Sequence, residues 1–148
     1  MIAELGHFAL IIALAMALLL SLVPMIGSFR GYSSWMRLAS SLSLGQLLFV
    51  AVSFVCLAIA FLMDDFSLKY VSQNSNTALP DHYKISAVWA AHEGSLMLWA
   101  LILAGWTAAV ALFSRSLPLV LSARILSVLG AISFGFALFL ILTSNPFE

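Results

Sequence analysis

Charge is scarce in this sequence: 148 residues hold six Lys or Arg and six Asp or Glu, and the formal net charge is zero. The basic residues are scattered singly, which leaves no patch for a nucleic acid and excludes that class of partner. No Lys or Arg precedes Arg30, so the first apolar run lacks the cationic leader of a signal peptide and is expected to remain as a span. The single cysteine, Cys56, excludes a disulfide framework, a CxxC motif and thiolate metal spacing. It sits in an apolar run and reads as a small buried hydrophobe, and no metal site is expected. Also missing are a nucleophile with a base at workable spacing and a phosphate-binding loop, so catalysis by this chain alone is not expected.

Apolar sequence is what remains: 64% of residues are hydrophobic and the mean hydropathy is +1.13, the composition of an integral membrane protein. The fold class that follows is all-α and polytopic, a single membrane domain over 1–148 with four transmembrane helices, since a span needs about 20 apolar residues. The spans are placed at about 5–27, 38–63, 85–113 and 119–143, with Pro24 and Gly27 ending the first and Asn145 and Pro146 stopping the last. Ser40, Ser41, Ser43, Gly45 and Gln46 in the second span, Ala100, Ala104 and Ala108 in the third, and Ser127, Ala131 and Gly135 in the fourth suit close helix packing.

Between spans, RGYSSWMR carries Arg30 and Arg37 with Tyr32 and Trp35 as headgroup-layer anchors, and Arg115 and Arg124 flank Pro118. Residues 64–84, DDFSLKYVSQNSNTALPDHYK, form the longest polar segment, with a short extended piece expected over Phe66–Val71 and a loop through SQNSNT to Pro80. Four arginines in the short connections, against two lysines offset by Asp64, Asp65 and Asp81 in the long one, predict an N-out/C-out topology with 64–84 as an outer loop.

The informative stretch is Ile85–Trp106, ISAVWAAHEGSLMLWALILAGW. Trp89, His92, Leu96, Trp99, Leu103 and Trp106 recur at helical spacing, and Glu93 follows His92. An ionised carboxylate at membrane depth costs at least ~2.5 kcal/mol, so Glu93 needs a partner or a purpose. Twenty-nine residues overshoot a ~30 Å core, which predicts tilt or a break at Gly94. The pair has three readings: a satisfied buried couple fixing helix register, the wall of a cofactor or proton cavity, or an axial ligand site at His92. The tryptophans suit helix-interface packing or a cofactor-stacking wall. His7 reads as an interfacial solvated residue, and His82, between Asp81 and Tyr83, as a loop residue.

The motifs YVSQNSNTALP, WAAHEGSLMLW with GWTAAVALFSR, and LTSNPF resemble the N-terminal region of the CcmF and NrfE proteins, haem-handling subunits of system I cytochrome c maturation. The resemblance implies a subunit or fragment of a haem lyase that helps deliver haem and attach it to apocytochrome c at the outer face of the membrane. It implies haem as cofactor through the larger assembly, and as partners a haem chaperone, other maturation subunits and the apocytochrome. The family's WGxWWxWD segment and haem-ligating histidines lie beyond the matched region, so this chain is expected to be the N-terminal part of a larger protein or one chain of a split one. The remaining CcmF-like part would supply the Trp-rich segment. The implied location is a bacterial inner membrane, or the mitochondrial inner membrane if organellar. Only HEGS carries over by motif, giving Trp89, His92, Glu93, Gly94 and Trp99 as residues lining or supporting a cofactor site, without assigned ligands. The alternative from another class is a small four-helix proton-coupled transporter using Glu93.

Overall fold

In hydrocarbon no water satisfies a free backbone N–H or C=O, so apolar runs of 20 residues or more close their bonds within themselves as helices. The computed structural model describes residues 2–63, 71–72, 80–88, 92–114, 116–143 and 145–147, with backbone only for Ala3, His92 and Glu93. Among the described residues five helices are bounded, in order: α1 (Ile2–Arg30), α2 (Ser33–Leu62), α3 (Asp81–Ala87), α4 (His92–Phe113) and α5 (Leu119–Leu142). No strand occurs among the described residues. Four segments are long and apolar enough to cross a membrane: Glu4–Arg30, Ser33–Leu62, Gly94–Phe113 and Leu119–Leu142. The extended piece expected over Phe66–Val71 lies outside the described residues except Val71, which is helical, and SQNSNT falls mainly outside them too.

The helices form an antiparallel bundle in which α1 packs on α2 and α5, α4 packs on the same two, and α2 meets α5 across the middle. α3 rests against α2. Arg124 Nε donates to Ser28 Oγ at 3.1 Å, which ties the start of α5 to the end of α1. Ser53 Oγ donates to the Gly6 carbonyl at 2.8 Å at the other end, tying α2 to the start of α1.

Pro24 does not end the first helix. α1 continues to Arg30, and the chain reverses only at Gly31, whose φ of 75° is the left-handed conformation glycine adopts freely. A proline removes one backbone bond, and inside a membrane bundle neighbouring helices absorb that loss; Pro24 is buried. α2 begins earlier than expected, at Ser33, and takes Trp35 and Arg37 into its first turns.

Small residues mark the inside. Ala100, Ala104 and Ala108 are all buried, as their row predicts, whereas Ser127, Ala131 and Gly135 do not form a packing row: Ser127 is buried and the other two are exposed. A row of i, i+4 steps precesses by about 40° per step around the axis. On α4 that row is centred on the buried face at Ala104, but on α5 it starts at the edge and turns outward. The inner face of α5 is instead Ala123, Leu126, Gly130, Ser133, Ala137 and Leu140. Along α2 the hydroxyl-rich start behaves as expected at Ser43 and Gln46, which are buried, while Ser41 faces out.

Candidate functional site

The approach to HEGS is built by a short helix and a turn. Pro80, with φ −60° and ψ 151°, precedes α3 and its carbonyl accepts the N–H groups of Tyr83 and Lys84, each at 3.0 Å. Asp81 to Lys84 are thus helical, not the tail of a loop. Val88 N–H closes on the Ile85 carbonyl at 3.2 Å, and α4 starts at His92. The span expected over 85–113 is therefore interrupted at Val88, where α3 has ended, while α4 runs through Gly94 without a break. Ala87 and Val88 are pulled inward, into one apolar cluster with Leu57, Phe61, Val71, Met97 and Phe147. The apolar segment long enough to cross, Gly94–Phe113, has 20 residues, a length that fits the bilayer.

Of the candidate residues, Trp89 lies outside the described residues, and His92 and Glu93 are placed only as the first turn of α4. Gly94 is buried. Trp99 is 61% exposed and Trp106 67%, so neither packs inside this bundle as helix-interface residues would. The inward stripe of α4 is Met97, Ala100, Ala104, Thr107, Ala108 and Ala111, and Thr107 Oγ1 returns its hydrogen to the Leu103 carbonyl at 2.7 Å. The indoles thus stand on the opposite side of α4 from the small residues that seat it. Cys56 is buried, as expected of a small hydrophobe.

One polar junction at this end escapes a reading by motif. Asn145 Nδ2 lies 3.1 Å from His7 Nδ1, and Asn145 Oδ1 accepts the Phe147 N–H at 2.9 Å. With its oxygen so engaged, the amide nitrogen is the donor to the imidazole. Phe147 is itself buried, its ring so close to Gly6 that a Cβ there would stand 2.5 Å from Phe147 Cε1. His7 is therefore half-buried and tied to Asn145 near the start of α1. The signal was in LTSNPF, where Asn145 and Pro146 read only as a helix stop. His82 is exposed on α3, its ring 4.3 Å from that of Tyr83.

Known proteins share this arrangement from end to end. No family model matches the chain. Over 148 residues it is 62% identical to the cytochrome c-type biogenesis protein CcmF of Pseudomonas aeruginosa, covering 100% of this chain and 22% of the relative. The Escherichia coli CcmF is 49% identical over 150 residues (100% of this chain, 23% of the relative), and Haemophilus influenzae NrfE 44% over 147 (99% and 23%). A solved structure of the cytochrome c heme lyase CcmF superposes with a TM-score of 0.94 at 30% identity, over 100% of this chain and 25% of that one. The chain corresponds to the N-terminal region of the CcmF/NrfE cytochrome c biogenesis proteins. It spans about a fifth of the length of the curated CcmF relatives it matches, 22% in the first case.

The described part of this CcmF-like region does not by itself fit a haem. Neither imidazole described in full is set to ligate one: His7 is held by Asn145, and His82 lies against Tyr83 on an exposed helix. The concave surfaces at 26–35, around Arg37 and Ser114, and beside Leu96 and Gly135 carry no imidazole, thioether or thiolate. Among the described residues no three His, Cys, Asp or Glu converge as a metal site would require.

Proposed function

We propose that this chain forms the first four membrane helices of a cytochrome c haem lyase, helping deliver haem and attach it to apocytochrome c at the outer face of a bacterial inner membrane. The observation that carries this reading is the likeness to heme lyase CcmF over the entire chain, at a TM-score of 0.94. The axial ligands would come from the remaining CcmF-like part, which bears the Trp-rich segment. This chain would contribute the α3–α4 corner, where Trp89, His92, Glu93, Gly94 and Trp99 line or support the cofactor's surroundings. The outward tryptophans favour such a role, because large exposed indoles on a helix already seated by its small face are free to meet a further surface. Other maturation subunits, a haem chaperone and the apocytochrome would be the partners. With the arginines collected at one end, both termini and α3 would face outward.

The test is a chimera in which this chain replaces the matching region of a CcmF relative in a strain lacking its own. Membrane-bound c-type cytochromes, followed by haem staining, should be restored, and His92→Ala with Glu93→Gln should lower them about tenfold or more, as loss of a supporting shell does. A chimera that inserts stably yet makes no cytochrome would overturn the functional reading. Full activity in the double variant would remove the site while leaving the assembly role.

A further inference from the structure

Three described cations, Arg30, Arg37 and Arg124, lie at one end of the bundle without an acidic residue among them. Residues 28–37 and 114–124 contain Arg30, Arg37, Arg115 and Arg124 and no Asp or Glu. Glu4, Asp81 and Glu93 belong to elements at the opposite end, since α1 runs 29 residues and so about 43 Å at ~1.5 Å each. Neutralising charge for this end therefore has to come from outside the described protein.

A receptacle for it lies at the α1–α2 corner. Arg30, Tyr32, Ser33, Ser34 and Trp35 surround an open pocket of about 690 Å³. Gly31, at φ 75°, lets the chain reverse tightly enough to bring Arg30 and the two serines to one concavity. The groups presented are donors of the kind that suit an anion with several oxygens: a guanidinium fork, three hydroxyls and an indole N–H. The first turn of α2 opens here as well, with no side-chain hydrogen bond capping it, and adds a favourable dipole. Tyr32 and Trp35, their rings 5.2 Å apart and both exposed, are residues that settle at the headgroup layer. Arg124 is engaged differently, donating to Ser28 and lying 4.6 Å over the Phe29 ring, whereas no hydrogen bond or ion pair holds the Arg30 guanidinium among the described residues.

We propose that this corner pocket binds the phosphate of an anionic phospholipid headgroup, with Arg30 as its principal charge and the Ser33 and Ser34 hydroxyls as further donors. The phosphate's position at the membrane surface and the aromatic pair beside it favour a lipid over phosphate from solution. Binding of this kind weakens with salt, because Arg30 is exposed.

Native mass spectrometry of the intact membrane protein, released from micelles containing phosphatidylglycerol or phosphatidylcholine with the same acyl chains, reads this directly. Phosphatidylglycerol should be retained several-fold more often than phosphatidylcholine, the preference should fall on Arg30→Gln and survive in Arg30→Lys, and millimolar inorganic phosphate should not displace it. Arg30 is exposed at a helix end, so neither substitution threatens the fold. Equal retention of the two lipids, or a preference unchanged by Arg30→Gln, would overturn the site. Displacement by inorganic phosphate would overturn the lipid as its occupant.

Discussion

Gly130→Ala and Gly135→Ala add the same methyl group to the same helix, and only one of them meets a neighbour. A Cβ on Gly130 would stand 2.8 Å from Leu20 Cγ, 3.0 Å from Leu20 Cβ and 3.0 Å from the backbone nitrogen of Ser21. At Gly135 nothing lies within 4 Å. Carbon atoms pack best at roughly 3.5–4.0 Å, so α1 and α5 would have to part by more than half an ångström on the roughly 3.0 Å contacts. Leu20 is fully buried and cannot swing aside, and the Ser21 nitrogen belongs to helix backbone. The gain in helix propensity, up to about 1 kcal/mol for Gly→Ala, is common to both variants and cancels in their difference. What is left is overpacking, about 1–3 kcal/mol. Reversible unfolding of the 148-residue chain in mixed micelles, followed by tryptophan fluorescence, should place Gly130→Ala below Gly135→Ala by that amount. Agreement of the two variants within about 0.5 kcal/mol would refute the close approach of α1 and α5.

Asn145→Ala removes both the contact to His7 and the acceptor for the Phe147 N–H, and should cost about 1–3 kcal/mol in the same unfolding assay, with the C-terminal residues becoming open to carboxypeptidase. Ser53→Ala removes the hydroxyl that donates to the buried Gly6 carbonyl and should cost about 1 kcal/mol, a loss that Ser53→Thr recovers in part. Cys56 should resist a maleimide in the folded protein and react once it is unfolded; rapid labelling in native micelles would show that α2 is not seated as described. For orientation, single cysteines at Ser34 and Thr143 in a Cys56→Ala background should be labelled by an impermeant reagent from opposite sides of the membrane, Thr143 from outside.

The spans were legible because nothing but hydropathy and length is needed to find them, and Leu119–Leu142 fits the expected 119–143 almost residue for residue. Boundaries were harder where a residue's usual meaning in water does not hold. Pro24 and Gly27 would stop a helix in a soluble protein, but here the backbone has no alternative partner in hydrocarbon and α1 runs on to Arg30. The end of α3 at Ala87 could not be read, since Ile85–Val88 contains neither proline nor glycine; Ala87 and Val88 pack there against residues such as Phe61 and Phe147, distant in sequence.

Which side of each helix faces in was legible by a different rule from the usual one. With apolar residues on all sides, hydrophobicity does not distinguish core from surface: Leu10 is fully buried and Phe8, two residues earlier, is 60% exposed. Size does so only where backbones come close, at Ala13, Ala17, Ser53, Ala104 and Gly130; elsewhere large residues such as Leu10, Leu20, Phe61 and Met97 are fully buried. By that rule Trp99 and Trp106 had to face outward, opposite Ala104, and their seven-residue spacing with Trp89 described a face without saying what the face meets. The sequence pattern of α4 therefore contains two messages on opposite sides. The small side seats the helix in this bundle, and the indole side, at Trp99 and Trp106, is exposed among the described residues.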